Sequence, residues 1–230
     1  MTIRDILVTD RSVAEFCSTF DSEITEITNL LEQSESCFEH YFSEPEKQKY
    51  KWVQEFTFMT IESLVTATRL LIEGHINASG NTMRISYESL CLAILLSAEN
   101  NVLISESKKA KPVNFYKSYL QGNKNTKAHK AIGNVLLNAE TLGLIEGYEW
   151  LEQAKNFYNG YSHASIMTMG SLMLPSGKPI IAGGFYKEKV GLYKDHLNFV
   201  LRFAKHLPKL IEVVALRNLT SALKGTKTVG

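Results

Sequence analysis

An arginine and a glutamate stand four residues apart inside one of the most apolar stretches of the chain. They are Arg84 and Glu88, within the run from Ala78 to Ser97 that continues as Leu90-Cys91-Leu92-Ala93-Ile94-Leu95-Leu96. That spacing puts both side chains on one side of a helix. A helix that is apolar nearly all round is buried, and an unpaired ion there costs several kcal/mol. Two readings follow. Either the pair is a structural lock that holds helix register, or Arg84 keeps donors of its planar fork free for an anion while Glu88 orients it.

Helical periodicity dominates the rest of the chain. Ser12-Val13-Ala14-Glu15 has the capping-box pattern, and Phe16, Phe20, Ile24, Ile27, Leu30 and Leu31 follow at helical spacing. Ser43-Glu44-Pro45-Glu46 repeats the box. It predicts a long helix through Trp52, Phe56, Met59, Leu64, Ala67 and Leu71, stopped at Gly74. The short connection from there to Ala78 predicts an antiparallel neighbour. Residues 99–125 read as polar loops around a short helix at Phe115, Tyr116, Tyr119 and Leu120. An amphipathic segment runs from Ala128 to Leu142 and ends at Gly143; another, from Tyr148 to Tyr161, ends near Gly160. Pro208 should kink or split the last helix, which carries Tyr193, Leu197, Val200, Leu201, Leu210 and Val214.

Leu172-Met173-Leu174, Pro175-Ser176-Gly177-Lys178 and Pro179-Ile180-Ile181 break the helical pattern. They predict a small β-hairpin or ordered loop near 171–185. The expected fold is all-α: an antiparallel helical bundle forming one domain over 1–223, with a flexible tail at 224–230.

Composition excludes several classes. At 44% hydrophobic over 230 residues, the chain can build a real core. Its 25 basic and 24 acidic residues nearly cancel, so no global charge points to nucleic acid. The densest basic cluster, Lys108-Lys109-Ala110-Lys111, reads as a solvated face. Cys17, Cys37 and Cys91 are odd in number and form no C-x-x-C, which points to free thiols in the cytoplasm, with Cys91 a small core residue. No apolar leader and no membrane span is expected. No phosphate-binding glycine loop, H-E-x-x-H, Glu-x-x-His or G-x-S-x-G is present, so neither a metal site nor a cofactor is expected.

A second polar signature, Tyr158-Asn159-Gly160-Tyr161-Ser162-His163, closes the aromatic helix. Histidine titrates nearest neutral pH, which makes His163 the default acid–base candidate. The competing reading is a helix-capping histidine bonded to backbone. Lys155 and Asn156 lie just upstream, and Lys155, Tyr158 or Asn159, and then Ser162 fall on roughly one helix face. The catalytic candidates are therefore Arg84, Glu88 and His163. The substrate-binding candidates are Lys155, Asn156, Tyr158 and Ser162.

Leu70-Leu71-Ile72-Glu73-Gly74-His75, then Ala78, Met83-Arg84 and Tyr87-Glu88, then Tyr148, Tyr158 and Ser162-His163-Ala164-Ser165 form a combined pattern. It resembles a group of uncharacterised bacterial helical proteins, with an R-x-x-x-E helix and a later Ser-His motif, similar in organisation to the HEPN superfamily. The resemblance spans about residues 50–170. It implies a HEPN-like bundle, a homodimer, and a role in a bacterial stress, toxin–antitoxin or phage-defence system. It also implies RNA as a ligand and a metal-independent ribonuclease activity, or else an inactive partner protein. Active members carry an Arg, a polar residue and then a His. Here Lys155-Asn156 takes the place of the first two, and a wider gap separates it from His163. The alternative is a non-catalytic binding or homodimerisation protein in which Arg84 and Glu88 form the lock.

Overall fold

The structure is a computed structural model that describes residues 13–44, 46, 48–106, 109–144, 148–161, 163–181 and 183–219. Ser12, Ser162 and the 224–230 tail lie outside the described residues. The fold is mostly helical with one small antiparallel hairpin. Its helices are α1 (Val13–Thr19), α2 (Asp21–Phe42), α3 (Lys51–Ile72), α4 (Ile76–Leu96), α5 (Phe115–Leu120), α6 (Ala128–Leu137), α7 (Tyr148–Asn159), α8 (Ile166–Ser171) and α9 (Val190–Asn218). The strands are β1 (Val102–Glu106) and β2 (Lys109–Val113), between α4 and α5. Among the described residues no helix is long and apolar enough to cross a membrane.

Helices α3 and α4 form the central pair. They run antiparallel and close enough for side-chain hydroxyls to reach the neighbouring backbone. Ser79 Oγ donates to Ala67 O at 2.8 Å and Ser86 Oγ to Thr60 O at 2.7 Å. Small residues on the facing stripes allow this approach. The second half of α4, from Ser89 to Leu96, is buried on every side, as its unbroken apolar composition requires.

The long C-terminal α9 packs on α2, α3 and α4. Its end is tied to the start of α3 by Asn218. That amide accepts from Tyr50 N at 3.1 Å and donates to Tyr50 O at 3.1 Å and Gln48 Oε1 at 3.0 Å. Ion pairing along α2 and α9 rises in the same sense: Lys205 meets Glu26 at 2.9 Å, and Glu212 lies by Tyr41. These two helices are therefore parallel, so the all-antiparallel expectation holds for α3 with α4 but not for α2 with α9.

Four further expectations are corrected. Ser43 caps the C-terminus of α2, and α3 begins only at Lys51, so the long helix does not open at the second capping-box pattern. Residues 102–113, expected as polar loop, form the hairpin, whereas 171–185 takes the ordered-loop form of its expectation. Within 171–185 the described chain is an ordered loop with one isolated bridge, Met173 to Pro179. Of the two outcomes expected at Pro208, the split does not occur, since α9 runs unbroken from Val190 to Asn218. The first apolar periodicity is two helices, divided at Phe20.

The hairpin survives because α6 covers it. Val102 and Ile104 point inward, and Asn138, at the end of α6, clamps the strand. Its Oδ1 accepts from Leu103 N at 2.7 Å and its Nδ2 donates to Leu103 O at 2.7 Å.

Candidate functional site

The Arg84–Glu88 spacing delivers what a helix face promises. Arg84 Nε donates to Glu88 Oε1 at 2.8 Å. The side chains are 24% and 15% exposed, so the pair sits at the edge of the core and not in it. Next to it, Tyr87 turns inward and stacks on Phe203 of α9, with ring centroids 4.3 Å apart. Burial raises the Tyr87 phenol far above the usual tyrosine range, so it remains neutral.

This edge forms one wall of a narrow cleft between α4, α6 and α7. Helix α4 contributes Arg84, Tyr87 and Glu88; α6 contributes His129 and Ile132; α7 contributes Ala154, Lys155, Tyr158 and Asn159. Lys155 extends toward α6, where its Nζ passes 3.9 Å from the position a β-carbon on Gly133 would take. Two cations, a carboxylate and an imidazole thus share one wall-to-wall space with a phenol.

The phenol is Tyr158. It is 1% exposed, and its hydroxyl has no hydrogen-bond partner among the described residues. A buried hydroxyl left alone costs about 1–3 kcal/mol. Burial, then the neighbouring Tyr87 and Tyr161 phenols, hold its pKa well above the ordinary value, so it is a donor at any physiological pH. The cleft has a volume of about 20 Å³. That admits about one water-sized group.

The sequence candidates divide. Arg84, Glu88, Lys155 and Tyr158 come together. Asn156 points away on the exposed face of α7, and Ser162 lies outside the described residues. His163 is exposed and is not among the cleft-lining residues. Helix α7 ends at Asn159, so His163 sits in the turn that leads into α8. There its carbonyl accepts from Thr168 Oγ1 at 2.7 Å, while Ser165 caps α8 by accepting from Thr168 N at 3.1 Å. Ser165 Oγ also donates to Gly160 O. The hydroxyls of Ser165 and Thr168, with the carbonyls of Gly160 and His163, thus build a turn and a helix cap.

The imidazole that does line the cleft is His129. Sequence reasoning passed over it. Its only signal is that it precedes Ile132 by three residues on an amphipathic helix, which places both on one face. Among the described residues no group of three or more His, Cys, Asp or Glu side chains could hold a metal ion.

Comparison with family models, with curated proteins and with solved structures finds no match to this chain.

Proposed function

We propose that this chain is a HEPN-like helical protein of a bacterial stress or phage-defence system, acting on RNA without a metal ion at the α4–α6–α7 cleft. One observation carries the reading: Arg84, Glu88, His129, Lys155 and Tyr158 line the same space. The chemistry these groups support is transesterification. His129 takes the proton from a ribose 2′-hydroxyl, whose oxygen attacks the adjacent phosphorus as the bond to the 5′-oxygen breaks, and that oxygen takes a proton from water. Arg84 and Lys155 balance the charge that builds on the phosphoryl oxygens, and Glu88 aims the guanidinium. The acid–base role therefore moves from His163 to His129.

The test is incubation of purified protein with RNA in the presence of chelator, followed by analysis of termini. The reading expects 2′,3′-cyclic phosphate products, lost about 100-fold or more in His129→Ala and unchanged in His163→Ala. Absence of cleavage, or cleavage indifferent to His129, defeats it.

A second reading, the non-catalytic homodimer or partner-binding protein, has its own support. Arg84 Nε already bonds Glu88 Oε1, and α8 with the loop after it presents Ile166, Met169 and Leu172 to solvent at 91%, 64% and 45% exposure. This reading expects a dimer in sizing and scattering measurements that Ile166→Asp disperses.

A further inference from the structure

A second cavity, of about 160 Å³, lies at the N-terminal end of α4. It is enclosed by the α3–α4 turn, the loop that follows α8 and the start of α9. Glycine backbone forms part of its wall. Gly183 and Gly184 adopt φ of 78° and 114°, and Gly184 N donates to Glu73 O at 3.2 Å. Tyr193 fixes that wall, its hydroxyl donating to Gly184 O at 2.8 Å and accepting from Tyr186 N at 3.2 Å.

Lys189 lines this cavity and is only 6% exposed. Its ammonium donates to the carbonyl of Ser171 and has no other acceptor among the described residues. No carboxylate lines the cavity. A buried ammonium with one carbonyl and no counter-charge is costly to keep. Burial accordingly lowers the Lys189 pKa below the usual lysine value. Beside it, α4 begins at Ile76 with no side-chain cap. The backbone N–H groups of Ile76, Asn77 and Ala78, at the positive end of that helix, have no acceptor among the described residues.

We propose that this cavity binds a small phosphate, either inorganic phosphate or the phosphate group of a small metabolite, with Lys189 as its counter-charge. The volume sets the class. It falls below the roughly 300 Å³ at which drug-sized pockets begin, so a whole nucleotide is excluded. This site is separate from the Arg84 cleft and stands or falls independently of the RNA reading.

The experiment is calorimetric titration of the full chain with inorganic phosphate at low salt, repeated for Arg84→Gln and Lys189→Gln. The expected result is saturable binding at one phosphate per chain, retained in Arg84→Gln and weakened at least tenfold in Lys189→Gln. Because Lys189→Gln also removes a buried contact, labelling of the unaltered protein with acetic anhydride provides an independent readout. Phosphate should slow acetylation of Lys189 several-fold and leave Lys187, whose side chain is 83% exposed, unchanged. Glycerol phosphate binding more tightly than inorganic phosphate identifies a metabolite as the source; equal or weaker binding identifies free phosphate. No saturable binding, binding lost in Arg84→Gln, or binding without protection of Lys189 overturns the proposal.

Discussion

The hydroxyl of Ser86 donates to the carbonyl oxygen of Thr60 across the α3–α4 interface, at 2.7 Å. Ser86 is fully buried, so the bond is made where water cannot replace it. Ser86→Ala should cost about 0.5–1.5 kcal/mol. Ser86→Leu should cost more, because the helices are too close to accept the added volume, and overpacking adds about 1–3 kcal/mol. Urea unfolding of the two variants, compared at equal slope, checks the order.

Asn138 holds β1 through both polar groups of Leu103, and its Nδ2 also donates to Asn134 O at 2.7 Å. Asn138→Ala removes all three bonds and strands partly buried backbone groups. A loss of about 1–3 kcal/mol is expected. Amide exchange should accelerate in residues 102–113 before it does in α3 or α4. Uniform acceleration would show that the hairpin is not the locally weakened unit.

His196 is fully buried among the rings of Phe157, Tyr158 and Tyr161, and neither ring nitrogen has a hydrogen-bond partner among the described residues. Burial pushes its pKa down to about 3, against about 6.5 in an unfolded chain. The unfolded state therefore binds the proton first as pH falls. The contribution is present in full above about pH 6.5 and is lost on acidification toward pH 3, by about 2 kcal/mol between pH 7 and pH 5. His196→Leu should lose less stability than the parent over that interval, by about that amount. Equal slopes in the two proteins would contradict the assignment.

Gly74 closes α3 with φ of 80°, and a β-carbon there would overlap the backbone of Gly184. Gly74→Ala therefore combines left-handed backbone strain with a clash that no side-chain rotation relieves. A loss of about 2–4 kcal/mol is expected. Thermal denaturation measures it; a change below about 0.5 kcal/mol would be that of an ordinary surface position.

The Arg84–Glu88 bond is partly open to solvent. A double-mutant cycle through Arg84→Met and Glu88→Gln should give a coupling of about 0.5–1 kcal/mol that weakens with added salt. A coupling of several kcal/mol, indifferent to salt, would favour the structural lock over a guanidinium available to a ligand.

The hairpin at 102–113 shows where local pattern loses to tertiary packing. Lys109-Ala110-Lys111-Pro112-Val113 has the charge of a solvated loop and a proline, and only Val102 and Ile104 alternate inward on the paired strand. That segment is a strand because it pairs with β1, which α6 and Asn138 hold in place. Conversely, Leu172 to Ile181 has the apolar–turn–apolar pattern of a hairpin but makes only one bridge. At Ser43 the capping pattern was real in composition, yet the chain was already helical on its N-terminal side, and the serine terminates that helix.

Periodicity within one segment determined the long helices, the buried half of α4, and the meeting of Arg84 with Glu88, because each depends on residues less than two turns apart. Which imidazole lines the cleft beside that pair was decided only by tertiary structure. His129 and His163 lie far from Arg84 in the chain, and the distance to each depends on where α6 packs and where α7 ends. Helix crossing and helix termination are set by the fit of whole faces against one another. No spacing within a single segment carries that information.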